Sequence, residues 1–459
     1  MLTGFIAQKT VADPLSREPN DTILYPKFVK NVMTGSENVP QSEKSDNANS
    51  SQDDRPQDPL PQDPLPQDPL PRGFRFAGVT CGIKPSGNPD LSLIVSDQPV
   101  VAAGVYTQNQ VVAAPVILSR NRTPSETIRA VVTNSGNANA CTGDQGMQDA
   151  TEMCKLVAET VGCQPENVLV MSTGIIGQHL PMDCIRNGIR DAHQQIDPTL
   201  AGFLRSAEAI RTTDKTRKTV TAQIDVGQRR FRVAAMAKGA GMIAPNMATM
   251  LSCMLTDAPL TADMAQQSLR QAAKNSFNRV SVDGHTSTND TLLLMSSGQG
   301  TSLNASELQI FQQELTKVAI KLAKQLVADG EGALHVMAIR IEGAEDEAAA
   351  ETIARTVAAS PLVKTAVTGS DPNWGRIVSA AGYANAQISP EKTSLQICGI
   401  TIYRDGAPVP FDEPALSEKM KSSPEVPIVL RVGQGSGTVE YWSSDLTTSY
   451  VEFNSEYTT

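Results

Sequence analysis

Lys238-Gly-Ala-Gly-Met-Ile-Ala-Pro-Asn-Met-Ala-Thr-Met-Leu251 is the stretch that decides how this chain is read. Small residues and Pro245 make a tight bend, after which Ala248-Thr249 enters an apolar strand, MLSCMLTD. A threonine at such a junction becomes a nucleophile if the peptide bond before it is cut. The freed α-amine of Thr249 then serves as its own base, and no histidine partner is needed. The same residues also read as a Gly/Pro turn feeding a core strand with an inert threonine, and spacing alone leaves both readings open.

A second candidate is Met171-Ser-Thr173-Gly174-Ile-Ile-Gly177, where the apolar strand NVLVM runs into a small polar turn. Acyl transfer needs hydrogen-bond donors aimed at the oxyanion of a tetrahedral intermediate, and a threonine hydroxyl with a glycine N–H supplies them. Any strand-to-turn junction has this look, so the segment is weak by itself. Asn134-Ser-Gly-Asn-Ala-Asn-Ala-Cys-Thr-Gly143 reads either as a polar pocket loop or as an Asn/Gly turn that tolerates left-handed backbone. Three further runs are more polar than turns require: Asn278 to Asp290, Asp329-Gly-Glu331-Gly, and Gly369 to Arg376. Asp283, His285 and Asp290 hint at metal ligation, but the run lacks the Gly and Glu positions of a calcium loop and holds one histidine. With four histidines in the chain and no GxSxG elbow, a Ser/His/Asp hydrolase has little support.

Around these segments the chain divides in two. Residues 13–71 are polar and Pro-rich and carry a tandem PQDPL repeat, so residues 1–72 are expected to form a disordered tail without a core of their own. From Gly73 onward FRFAGVTCGI, LSLIVSD, VVAAGVYT, VVAAPVILSR and IRAVVTNSG read as successive strands. Helices are expected over DQGMQDATEMCKLVAETVG, MDCIRNGIRDAHQQI, TADMAQQSLRQAAKNSFNRV, Glu307 to Asp329 and most of DEAAAETIARTVAASPLVKTAV. The last ninety residues read mainly as strands and turns. The mixture points to a layered α/β (α+β) fold with helices on outer faces, without the strict alternation or GxGxxG of a dinucleotide-binding sheet.

The 459 residues exclude a single small binding module. With 40% apolar and 19% charged residues and a net charge of -10, most of the chain can bury a core and none of it has a basic surplus for nucleic acid. There is no run of roughly 20 apolar residues and no basic, apolar leader, which leads to the expectation of a cytoplasmic protein without a membrane partner. Seven cysteines without paired short spacing suit a reducing compartment and suggest neither a disulfide framework nor a zinc site.

Taken in order, GFRFAGVTCGIKPSG, VVTNSGNANACTG, STGIIG, KGAGMIAPNMATML, NRVSVDGHTSTNDT, LVKTAVTGSDPNWGRI and EFNSEYTT resemble the ornithine acetyltransferase, or glutamate N-acetyltransferase, family across Gly73 to Thr459. The resemblance implies a precursor that cleaves itself between Ala248 and Thr249. The products would be an α chain ending at Ala248 and a β chain beginning with the nucleophile Thr249, assembled as two αβ pairs. Thr249 would take the acetyl group of N2-acetylornithine as an ester and pass it to glutamate. Thr173 and Gly174 match the family's oxyanion donors, and Thr212, Lys238, Glu331, Asn454 and Thr459 match its substrate-binding positions, the last two on a terminal strand or tail. The implied fold is an αββα sandwich like that of N-terminal-nucleophile hydrolases, with a smaller C-terminal α/β region. No cofactor is implied; acetyl-CoA stands as an alternative acetyl donor that no single residue decides. Two competing readings remain: an N-terminal-nucleophile amidohydrolase or aminopeptidase that uses water as acceptor, and a non-catalytic ligand-binding regulator, against which the intact Ala248-Thr249 pair counts.

Overall fold

The computed structural model describes residues 69–244 and 250–456. The expected tail up to residue 68, the expected cleavage site Ala248-Thr249 and the expected substrate ligand Thr459 lie outside the described residues.

The chain opens with β1 (Phe74–Val79) and a strand of 16 residues, β2 (Leu91–Tyr106), followed by α1 (Ala114–Arg120), β3 (Ser125–Asn137), α2 (Gly143–Val161) and β4 (Val168–Ile175). Next come α3 (Met182–Gln194), α4 (Leu200–Ala209), β5 (Lys218–Val226), β6 (Arg229–Lys238), β7 (Leu251–Thr256), α5 (Ala262–Lys274), β8 (Val280–Ser281), β9 (Thr291–Ser296) and α6 (Ala305–Ala328). The third part holds β10 (Val336–Ala344), α7 (Glu347–Ala359), α8 (Pro361–Thr368), α9 (Trp374–Gly382), β11 (Ser394–Ile397), β12 (Ile400–Arg404) and β13 (Ala407–Pro408). It ends with α10 (Glu413–Lys421), β14 (Glu425–Arg431), β15 (Gly437–Ser444) and α11 (Thr448–Glu456).

β2 organises the first sheet, of order β4-β3-β2-β9-β7-β6-β5 with β1 on β2. Its first half pairs with β1 and β3, and its second half, Val101 to Tyr106, pairs with β9. The register against β3 shifts between Val95 and Val100, where Asp97, Gln98 and Pro99 are exposed and Pro99 has no N–H for the ladder. One strand thereby belongs to two stacked layers. Phe76, Ile94, Val131 and Met171 of the first layer meet Met236, Leu251, Cys253 and Leu293 of the second in a shared core. On the outer side of the first layer, Leu91, Leu93 and Val132 pack on Met153 and Val157 of α2 and Ile185 and Ile189 of α3. Beyond the second layer, Val233, Met254 and Leu292 pack on Leu269 of α5 and on Phe311, Leu315 and Leu322 of α6. This is the expected αββα sandwich. Phe203 of α4 closes its side, with its ring edge-on to Phe76 at 5.4 Å, an arrangement worth about 0.5–1.5 kcal/mol beyond area burial.

The C-terminal region is a seven-stranded sheet, β13-β12-β11-β14-β10-β15-β8, whose core joins Ile339, Ile341 and Ile428 to Ile353 and Val357 of α7, Ile377 of α9 and Leu416 of α10. Among the described residues no helix is long and apolar enough to cross a membrane.

Several expectations need correction. VVAAPVILSR is not a strand; Pro115 presets the first turn of α1, where its missing N–H costs nothing. LSLIVSD and VVAAGVYT are one strand, β2. The helix expected from Asp346 to Val367 is two, α7 and α8, because Ser360-Pro361 cannot continue α7 and Ser360 caps α8 instead. Among the described residues, the last ninety hold three α-helices as well as strands. The folded body also starts before Gly73: Leu70 is buried in the inter-sheet core.

Candidate active site

Four elements end at one cavity of about 220 Å³ lined by Thr173, Gly174, Thr212, Lys238, Glu331 and Asn454, together with Thr213, Asp283, His285 and Tyr450. β4 delivers Thr173 and Gly174 at its C-terminal end, and β6 ends on Lys238. Gly174 has φ +135°, and a Cβ there would lie 2.2 Å from the Gly136 carbonyl carbon of the neighbouring strand, so glycine is required. Asn289 secures this junction by donating from Nδ2 to the carbonyls of Ser172 (2.8 Å) and Ala138 (2.6 Å).

Lys238 Nζ donates to Thr173 Oγ1 at 3.0 Å. A hydroxyl that accepts from a lysine still has its own proton to give, so Thr173 is a polarised donor facing the cavity. Lys238 is buried; desolvation pulls its pKa below the usual lysine value, Asp214 pulls it back up, Lys218 opposes, and Glu331 and Asp290 assist. Asp214 is the counter-charge. It accepts from Lys218 Nζ (2.5 Å), Gly239 N (2.6 Å) and Thr212 N (3.0 Å). Burial alone would raise its pKa, but Lys218, Lys238 and these hydrogen bonds hold the carboxyl below the usual range. Lys218 also donates to Asp329 at 2.5 Å, which ties the end of α6 to the start of β5.

Glu331 follows α6, and its N–H bonds to the Ala240 carbonyl at 2.9 Å. Its two carboxylate oxygens accept from Thr213 Oγ1 (2.7 Å) and Asn454 Nδ2 (3.1 Å). Asn454 lies on α11 and not on a terminal strand or tail. Across the cavity Asp283 accepts from Met242 N at 2.7 Å and His285 N at 3.0 Å, and burial pushes its carboxyl above the usual range. Tyr450 stays a neutral hydroxyl, pushed up to about 12 by burial and then by Asp283 and Glu331.

Leu251, two residues after Thr249, pairs with Lys238 across β6 and β7, and Met250 N donates to Asp290 Oδ1 at 3.2 Å. β7 therefore starts at the cavity end of the sheet. Of the nine residues expected at the site, six line this cavity; Ala248, Thr249 and Thr459 lie outside the described residues.

A family model, the ArgJ family, matches residues 75–459. The arginine biosynthesis bifunctional protein ArgJ of Rhodopirellula baltica is 58% identical over 393 residues, covering 84% of this chain and 96% of that protein. The chain belongs to the ArgJ family. Its namesake in Symbiobacterium thermophilum is 44% identical over 393 residues, with 84% of this chain and 97% of the relative covered. Among solved structures, the ornithine acetyltransferase of Mycobacterium tuberculosis complexed with ornithine is 39% identical, covers 39% of this chain and 94% of its own, and has a TM-score of 0.37.

Some of the polar segments singled out in the sequence lie wholly or mainly outside the cavity. The Gly369 to Arg376 run caps α9 through Asn373 and stacks Trp374 on Tyr403 at 5.2 Å. In the Asn134 to Gly143 segment, Asn134 to Asn137 end β3 and Gly143 opens α2; the loop between them holds Asn139 and Cys141 at positive φ, and of the segment only Ala138 reaches the cavity. All seven cysteines are free, and among the described residues no cluster of side chains has the donors of a metal site. Thr213, Asp214, Lys218 and Tyr450 were not legible as site residues; the signal was the Asp214/Lys218 pair four residues apart in an otherwise ordinary polar loop.

Proposed function

We propose that this protein transfers an acetyl group from N2-acetylornithine to glutamate through an ester on Thr249, yielding ornithine and N-acetylglutamate. The observation that carries the reading is the convergence of Thr173, Gly174, Thr212, Lys238, Glu331 and Asn454, scattered over 282 positions of sequence, on one cavity at the end of the sheet where β7 begins. Self-cleavage between Ala248 and Thr249 frees the α-amine that activates the Thr249 hydroxyl. Attack on the acetyl carbonyl develops an oxyanion that accepts from the Thr173 hydroxyl and the Gly174 N–H. Lys238 supplies a cation for the substrate carboxylate, while Glu331 accepts from the α-nitrogen of each substrate in turn. Thr459 joins this set on the strength of the resemblance. The reaction needs no cofactor, because nucleophile, base and oxyanion donors all come from the chain.

Cleavage would not release the two chains. β6 of the first pairs with β7 of the second, and β2 of the first with β9 of the second, so both remain in one hydrogen-bonded sheet. Assembly as two αβ pairs in the cytoplasm completes the proposal. The test is a glutamate acetylation assay with acetylornithine and acetyl-CoA offered separately. Acetylornithine should give parallel double-reciprocal lines against glutamate, as one pocket used in turn requires. Intersecting lines contradict the mechanism, and acetate release at a rate independent of glutamate identifies a hydrolase.

A further inference from the structure

Asp290 is fully buried, yet the proposed reaction gives it no role. It sits at the entry to β9, where its carbonyl accepts from Thr107 N at 3.0 Å and its Oδ1 accepts from Met250 N at 3.2 Å. Its other oxygen, Oδ2, is buried without a hydrogen-bond partner. The neighbouring Thr107 hydroxyl is committed to the Ser287 carbonyl at 2.7 Å. A buried carboxylate oxygen without a donor is costly to maintain and asks for an explanation. Covalent geometry limits what can meet it. Three bonds separate the Met250 nitrogen from the nitrogen of Thr249, which holds the two within about 4 Å of each other.

Resting on the proposed N-terminal nucleophile, we propose that Asp290 is a positioning residue for the α-amine of Thr249: Oδ1 fixes the Met250 N–H and Oδ2 accepts an N–H of the amine. The amine's lone pair is thereby turned toward the Thr249 hydroxyl. As Oγ bonds to the acetyl carbon, its proton moves to the amine, which becomes an ammonium. When the carbon–nitrogen bond to ornithine breaks, that proton passes to the leaving nitrogen. In the second half, the proton lost by the attacking amine of glutamate takes the reverse route to Oγ as the ester breaks. In both halves the charge that appears on the Thr249 nitrogen lies against Asp290. Burial pushes the Asp290 carboxyl well above its usual range, the Met250 N–H and the neighbouring Thr107 and Ser287 hydroxyls oppose this, and Lys238 is the charged neighbour favouring the carboxylate; Asp283, His285 and Glu331 line the cavity beyond it. A new ammonium at hydrogen-bond distance stabilises the ionised form further.

Asp290→Asn keeps an oxygen for Met250 N and replaces the amine's acceptor with an NH₂ group. Cleaved Asp290→Asn should lose about 10–100-fold in kcat with KM within about twofold. The acid limb of its kcat profile should move to lower pH, because the amine loses the carboxylate that favours its protonated form. Unchanged kcat overturns the proposal, as does a fall in activity that follows a lower Tm with no movement of the pH profile. Where the variant does not accumulate in cleaved form, a crystal structure of the cleaved wild-type protein decides. A Thr249 nitrogen about 3 Å from Asp290 Oδ2 supports the proposal, and an amine turned away to another partner overturns it. Transfer that survives Thr249→Ala would instead remove the nucleophile reading itself, whatever Asp290 does.

Discussion

Lys238 and Thr173 meet at 3.0 Å, the ammonium donating to the hydroxyl oxygen at the point where β6 and β4 both end. Under the proposed mechanism the contact joins the group that would receive a substrate carboxylate to the group that would receive an oxyanion. It also leaves the threonine proton as the one available for the reaction. Thr173→Ala should therefore reduce kcat by roughly 10²–10³ while KM changes little, since an oxyanion donor acts in the transition state. A raised KM with kcat intact would make Thr173 a substrate ligand.

Gly241 makes a sharper probe of Glu331. A Cβ on Gly241 would lie 2.4 Å from Glu331 Oε2, the far end of a flexible side chain, so Gly241→Ala should fold and displace the carboxylate from Thr213 and Asn454. Its kcat/KM should drop about 10–100-fold, as for loss of a hydrogen bond to a charged group. Glu331→Gln should fall in the same range, and the double variant should lose little more. Full additivity of the two losses would show that they act separately.

Asp214 is the buried counter-charge of two lysines, so Asp214→Asn should destabilise the protein by about 3–5 kcal/mol in chemical denaturation. The sign with pH follows from its depressed pKa. The unfolded carboxyl titrates near 3.9, so the advantage over the variant is complete above about pH 4 and shrinks as pH falls toward the lower folded value. A gap between wild type and variant that widened on acidification would contradict the ion-pair account.

The six expected residues that line the cavity were legible through the resemblance of whole motifs in order; by themselves Thr173-Gly174, Lys238-Gly and Asp329-Gly-Glu331-Gly read equally as turns. Asp214 and Lys218 were not legible, because a buried ion pair and a solvated loop use the same residue types, and only the fold decides which is which. At the level of elements, α1 was misread since VVAAPVILSR is a short apolar run without a helical or alternating period. Ser360-Pro361 carried a break that was legible but was read through. The exposed bend at Asp97 to Pro99 looked like a turn between strands and is instead where one strand passes between two layers.

Leu70 tests where the folded body begins. Leu70→Ala should cost about 2 kcal/mol or more through the cavity it leaves, measured by urea titration. Truncation of residues 1–68 should leave both Tm and activity unchanged within about twofold, whereas truncation of 1–72 should lower Tm. Equal stability of the two truncations would return the boundary to Gly73.

The proposed acetyl ester on Thr249 is the centre of the mechanism, and a trapping experiment tests it. Purified protein incubated with N2-acetylornithine and no glutamate, quenched in acid and digested, should yield an N-terminal peptide beginning at Thr249 that has gained the mass of one acetyl group. Fragmentation should place the group on that threonine, and addition of glutamate before the quench should remove it. An active protein that starts no peptide at Thr249, or that turns over while Thr249 stays unmodified, would contradict the account.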